Sequence, residues 1–476
     1  MHRDAALPLP RPFDLGALVA PLSVLAFAVA WSAAHGIDHR FISFSDGVYL
    51  YAASVAAAHG AHALYGEVAL SLPPGSVLGA ALVWKVSPHV ESVRLALGVL
   101  GALTSLLSYR VARMLFGLGR VAAVAATAVA IAGPLHNQFV GLDGDAFLTP
   151  LVLVLALALA RDRFAIVAMV LGLGFFFKLT WAVFALAALV VVARKEGRGA
   201  ALRVGAGGLA VAVAVYGAAV AAWGWSAHDL VTQLVVAESR SGYQLDAAGS
   251  LAVGLLVLWW PLLVLAPAGL ARAKRDANPL LLAGAVSMLF MLKRGTVYNV
   301  LDPLEPLLAS AAVAGAIVLW QRGRPAVRAA VAVCVLALAL HGASVTGSGA
   351  KQALPPPIGV AIVSTDNEHV VDRVAAAIDA HTPPGRPALV NPLFALVAHR
   401  PEPLQAADWF ILHALPDGKW RRVKALARDG RVPVVGVDEN VGHFDPSFSR
   451  ETGVTSRRGV LRVNDDPIRM TLYALP

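Results

Sequence analysis

Eleven apolar runs dominate the first 347 residues, at roughly 15–34, 91–112, 120–135, 145–160, 164–178, 180–193, 202–223, 251–270, 278–292, 304–320 and 326–347. A helix crosses hydrocarbon in about 20 apolar residues because every backbone amide must find its partner within the helix. The repetition therefore predicts a polytopic all-α membrane protein with about 11 transmembrane helices. The fifth and sixth runs are short and meet at Phe176-Phe177-Lys178-Leu179, so they read either as two crossings or as one re-entrant unit.

Composition agrees: 58% of the chain is hydrophobic and only 14% is charged, which excludes a cytosolic enzyme, a disordered chain and a nucleic-acid binder. Charge density roughly doubles after residue 347, where 129 residues carry 15 Lys/Arg and 14 Asp/Glu. A transmembrane domain over 1–347 is thus followed by a soluble domain over 348–476. The lone cysteine, Cys334, lies in an apolar run, so neither a disulfide framework nor a thiolate metal site is expected.

Cations set the orientation, since cytoplasmic loops collect Lys and Arg. With the N-terminus inside, 17 cations of the membrane part fall on the cytoplasmic face and 7 on the other. An odd number of spans then places the tail outside. The expected location is the plasma (inner) membrane, multi-pass, with a cytoplasmic N-terminus and an extracytoplasmic C-terminal domain. Ala28-Val29-Ala30 resembles a cleavage site, and a cleaved signal in place of the first span would leave the rest on the same side.

The connection from 35 to 90 is too long and patterned for a plain loop. It holds Ser45-Asp46-Gly47-Val48-Tyr49, a helix-favouring Ala52 to Ala58, Leu64-Tyr65-Gly66-Glu67 and a stop at Pro73-Pro74-Gly75. Ser76 to Val86 is apolar but half a span long, so it should lie along the interface. The next outer loop runs from His136 to Asp145 and ends in Asp143 and Asp145. Ionised carboxylates at a membrane boundary are costly unless solvated, paired or functional. The plain alternative for Asp145 is capping of the helix that follows it.

Lys178 sits on the outer side, where positive-inside anchoring does not call for it, and the plain reading is a side chain snorkelling to the interface. Lys293 and Arg294 lie on the same side, just before Tyr298-Asn299. Cations gathered there suggest a bound anion, and a lipid phosphate fits. The spacing of His35, Asp38 and His39 suits a metal on a helix face, although solvated loop histidines are commoner.

In the tail, Thr365 to Glu368 has capping-box spacing ahead of an amphipathic helix with Val370, Val371, Val374, Ala377 and Ile378 inside. Short apolar strands at Ala388–Val390, Trp409–Leu412 and Val432–Val437, with a helix near Lys419–Ala427, indicate a small α/β domain. It shows no catalytic motif of its own.

The ordered set Ser45-Asp46-Gly47-Val48-Tyr49, Leu64-Tyr65, Pro73-Pro74-Gly75, Asp145 before a Leu/Ala-rich helix, Lys178-Leu179-Thr180 and Tyr298-Asn299-Val300-Leu301-Asp302-Pro303 resembles the GT-C polyprenyl-phosphate-sugar-dependent glycosyltransferases. More narrowly, it is similar to the protein O-mannosyltransferase and aminoarabinose-transferase-like superfamily. The resemblance implies an inverting hexosyl or pentosyl transfer, at the extracytoplasmic face, from a polyprenyl-phosphate donor to a hydroxyl of a glycan, glycolipid or protein. It assigns the general base to Asp46. Gly47 follows where the commoner pattern has Glu, so a partner acid comes from Glu67 or Asp145.

The expected site is therefore Asp46 and Asp145 as catalytic carboxylates, with Asp143, Glu67 and Tyr49 in support. Lys178, Lys293, Arg294 and Tyr298 are expected on the donor phosphate. A divalent cation (Mg, Mn or Ca) is an option for which Asp46, Asp143, Asp145 and His136 supply donors. Two other readings remain: a lipid or solute transporter or flippase, whose charges should line a midplane path, and a non-catalytic envelope scaffold.

Overall fold

The computed structural model describes residues 15–34, 44–132, 142, 144–237, 248–273, 277–292, 302–345, 367–390, 392–400, 425–426, 429, 431, 434–438, 458–465 and 468–474. Each of the eleven apolar runs forms a helix. They are α1 (Leu15–Ala34), α4 (Val90–Leu115), α5 (Arg120–Ile131), α6 (Gly144–Ala160), α7 (Phe164–Gly174), α8 (Trp181–Glu196), α9 (Arg198–Trp223), α11 (Ala248–Leu270), α12 (Ala277–Ser287), α13 (Glu305–Arg322) and α14 (Pro325–Val345). The 35–90 connection adds α2 (Phe44–His59) and α3 (Pro74–Val86), and α10 (Ala227–Val231) follows α9.

Among the described residues, α4 and α9 are each 26 residues long and apolar enough to cross a bilayer unaided. The outward face of α9 is apolar: Leu202, Leu209 and Val213 are all exposed. Water penalises such a surface and lipid does not, so this face suits contact with lipid. With hydrocarbon on both sides, helix packing relies on close approach rather than on hydrophobic burial. Gly269 of α11 and Gly315 of α13 supply it, since a Cβ on either would run into the carbonyl of Ala311 or Leu265 on the facing helix.

The two short helices α7 and α8 form an antiparallel hairpin. At one end Lys195 Nζ donates to Leu159 O (2.7 Å) and Asp162 Oδ1 (2.8 Å), beside the last residues of α6. At the other end the turn at 175–180 reaches the first residues of α6, where Lys178 meets Asp145. The hairpin thus runs the full depth of α6, which favours two crossings over a shallow re-entrant unit.

Pro73-Pro74, expected as a stop, instead opens α3, because proline's missing N–H costs nothing at a helix N-terminus. Val77 and Ala80 are buried while Leu82 and Val86 are exposed, giving α3 one packed face and one free apolar face.

The C-terminal part is α/β. The amphipathic helix is α15 (Asn367–His381), with Val370, Val371, Val374 and Ile378 buried. Its sheet has the order β1-β2-β4-β3, from β1 (Ala388–Leu389), β2 (Val434–Asp438), β3 (Arg458–Asp465) and β4 (Ile468–Ala474). β1 and β2 run parallel, and β4 pairs antiparallel with both β2 and β3. The β3–β4 hairpin was not anticipated, although the alternation in Leu461-Arg462-Val463 and in Arg469-Met470-Thr471-Leu472 signals it. The expected strand at 409–412 lies outside the described residues, as does all of the expected helix at 419–427 except residues 425 and 426. A short helix, α16 (Pro392–Val397), seats the domain on α2, with Leu393 and Phe394 fully buried.

Candidate active site

The site is assembled where α2, α6 and the α7–α8 turn converge. Gly144 and Asp145 open α6, and the Asp145 side chain is buried. Asp145 Oδ2 receives Lys178 Nζ, which remains partly exposed. Asp145 Oδ1 has no hydrogen-bond partner among the described residues. The carboxylate therefore does not cap its own helix; it holds an ammonium group that arrives from the α7–α8 turn. Snorkelling is likewise the wrong account of Lys178, since its head turns onto a buried acid.

Lys178 is aimed by the three residues before it. Tyr216 of α9 donates its hydroxyl to Phe175 O (2.9 Å). The N–H of Gly75, in the first turn of α3, donates to Phe176 O (2.8 Å). Phe177 stacks on Phe147 of α6 with ring centroids 5.4 Å apart. Gly75 has to be glycine: a Cβ there would stand 2.7 Å from both Phe176 O and the Phe177 ring. One consecutive stretch is thus gripped from three helices, which fixes the backbone that carries the cation.

Tyr49 joins α2 to α6. Its hydroxyl accepts the Gly144 N–H at 3.0 Å, satisfying one of the free amides that open a helix. A side chain on Gly144 would press on this hydroxyl and on the Phe177 carbonyl, which would stand 3.1 Å away. Asp46 lies in the first turn of α2, three residues before Tyr49; its side chain lies outside the described residues. Of the two acids expected to assist Asp46, Glu67 is at the surface against His59 Nδ1 (3.0 Å), and Asp145 is the buried one. His35, Asp38, His39, His136, Asp143, Lys293, Arg294 and Tyr298 lie outside the described residues.

Three buried charged residues stand out, of which only Asp302 figures in the sequence motifs, within Tyr298–Pro303. Arg94 in the first turns of α4, together with Asp302 and Glu305 at the start of α13, are fully buried. α4 and α13 touch each other. The signal was available, because each is a charge inside or at the edge of an apolar run. Among the described residues no group of three or more His, Cys, Asp or Glu side chains is placed to hold a metal ion.

No family model and no curated protein matches the sequence. Solved structures do match. ArnT from Cupriavidus metallidurans bound to undecaprenyl phosphate superposes with a TM-score of 0.64 at 15% identity, covering 96% of this chain and 98% of that one. The apo state of the same protein gives 0.62 at 15% identity with the same coverage. An oligosaccharyltransferase from Archaeoglobus fulgidus, in complex with Zn and sulfate, gives 0.45 at 12% identity over 90% of this chain and 69% of that one, and the fold assignment does not rest on it. Matched from end to end by ArnT despite so little sequence identity, the chain has the polytopic GT-C membrane fold.

Proposed function

We propose that this protein is a membrane glycosyltransferase that moves a sugar from a polyprenyl-phosphate carrier to a hydroxyl acceptor, with inversion, at the extracytoplasmic rim. The observation that carries the reading is the Asp145–Lys178 pair, set at the helix ends next to the helix that bears Asp46, inside a fold shared with an undecaprenyl-phosphate-binding protein.

The chemistry asks for two things that these residues supply. A sugar or protein hydroxyl is a weak nucleophile at neutral pH, so a carboxylate must take its proton as attack begins. Asp46 fills that role. The acceptor oxygen bonds to the anomeric carbon from the face opposite the phosphate, and the carbon–oxygen bond to the phosphate breaks. The carrier leaves as a phosphomonoester carrying one more negative charge, and Lys178 stabilises that charge. Asp145 keeps the ammonium aimed until the donor arrives. Lys293, Arg294 and Tyr298 complete the phosphate contacts in this reading, and Asp143 lies beside Asp145 in sequence.

The charges gather at helix ends rather than midway along the bundle, which fits a reaction at the membrane surface better than a transport path. In this reading the N-terminus is cytoplasmic and the C-terminal domain, seated on α2, covers the acceptor side. The direct test is to incubate the purified chain with a panel of radiolabelled polyprenyl-phosphate sugars. Transfer of one label from the lipid to a hydroxyl acceptor supports the proposal, and retention of every label on lipid refutes it.

A further inference from the structure

The α9–α11 connection folds back onto the 35–90 connection through defined contacts. Gly224 ends α9 at φ 68, a left-handed position that glycine adopts without strain, and Ser226 Oγ accepts the Asp229 N–H (3.2 Å) to start α10. Between them Trp225 Nε1 donates to Ala61 O (2.8 Å), and its ring meets Tyr65 edge-on with centroids 5.1 Å apart. One turn further, Thr232–Ala237 adopts π-helical geometry and carries Gln233. π turns are frequent at functional positions.

Gln233 uses both ends of its amide. Oε1 accepts the Leu70 N–H (2.8 Å) and Nε2 donates to Tyr65 O (2.6 Å), so the side chain ties together the two ends of the 65–70 turn. The segment needs it. Tyr65 has φ 65, a left-handed backbone that costs an aromatic residue of order 1 kcal/mol or more, and it persists only where the surroundings enforce it. Its buried hydroxyl donates to Leu72 O (2.7 Å). Burial, with the neighbouring Tyr216 and Tyr49 hydroxyls, holds the Tyr65 pKa well above its ordinary value, so the donor keeps its proton. Past Leu72 the chain is stiffened by Pro73-Pro74 and ends in the Gly75 N–H that grips Phe176 O, two residues before Lys178.

We infer that Gln233 is a positioning residue for Lys178, acting through the 65–75 segment and the Gly75–Phe176 hydrogen bond. Its functional arm rests on the proposed donor role of Lys178; its structural arm does not. Each link is a short hydrogen bond or a rigid dipeptide, so a slackened clamp is transmitted to the turn rather than absorbed. Methionine at 233 keeps the volume and removes both hydrogen bonds. Glutamate still accepts from Leu70 but cannot donate to Tyr65, which supplies a second variant should Q233M not fold.

The test uses the full-length chain in nanodiscs. Without ligand, hydrogen exchange at Gly75 and across 175–180 should accelerate about tenfold in Q233M, while α5 stays as protected as in the parent. With undecaprenyl phosphate as the probe, affinity should fall about tenfold in Q233M but by less than about twofold when Q233M is added to K178A. Unchanged protection at Gly75 and 175–180 overturns the inference, as does an equal loss of affinity in both backgrounds. A parent chain that binds no carrier, with the exchange change intact, contradicts the proposed function and upholds the positioning of Lys178.

Discussion

Lys178 and Asp145 lie 33 residues apart and form an ion pair whose acid is buried and whose ammonium stays partly open. Burying a charge pair seldom adds stability over a hydrophobic pair of similar shape, because the desolvation cost cancels much of the attraction. The pair is therefore better understood as held for use than as a fastening.

This makes a prediction about uncoupling stability from activity. Lys178→Met leaves the buried carboxylate uncompensated and should destabilise the protein by roughly 3–5 kcal/mol. Asp145→Asn combined with Lys178→Met should recover most of that loss but none of the donor use. Thermal unfolding in nanodiscs and turnover with the labelled donor measure the two quantities. Recovery of turnover in the double variant contradicts the role of Lys178.

Tyr49→Phe removes the acceptor for the Gly144 N–H and should cost about 1–3 kcal/mol of stability. Its larger effect should fall on rate. With α2 no longer tied to α6, Asp46 loses its register against the donor, and kcat should drop about ten- to a hundredfold with little change in donor KM. Steady-state kinetics separates the two parameters. A change confined to KM argues against the link.

Gly75→Ala tests the grip on the α7–α8 turn. The added methyl would meet Phe176 O and the Phe177 ring at 2.7 Å, so the turn must shift. Donor affinity should fall at least as far as in Q233M, and exchange at Lys178 should rise. Unaltered donor affinity would show that the turn position does not set the cation.

Gly315→Leu at the α11–α13 crossing should separate the two helices, costing about 1–3 kcal/mol or more. Thermal unfolding should register this at a distance from the site. An unchanged midpoint would mean that the crossing is looser than the structure has it.

The eleven spans were legible because hydrocarbon admits few structures and apolar runs report them directly. Asp145 and Lys178 were each visible as charges out of place, but their pairing was not, since nothing local links residues 33 apart. The short fifth and sixth runs were ambiguous by length alone. Lys195 at one end of α6 and Lys178 at the other favour two crossings. Gln233 gave no sign at all: a glutamine in a polar connection looks ordinary until the chain returns to Tyr65 and Leu70. Arg94 and Glu305 are charges inside apolar runs and so carry a signal in the sequence, but nothing local says what either is buried against.

The central claim is that a carboxylate on α2 takes the acceptor's proton while Lys178 receives the leaving phosphate. Asp46→Asn removes the base with almost no change in volume, so the single-turnover rate of sugar transfer from labelled polyprenyl phosphate measures it most directly. The rate should fall about 10²- to 10⁴-fold while membrane insertion, folding and carrier binding stay at parent levels. Transfer at the parent rate by the asparagine variant would contradict the account.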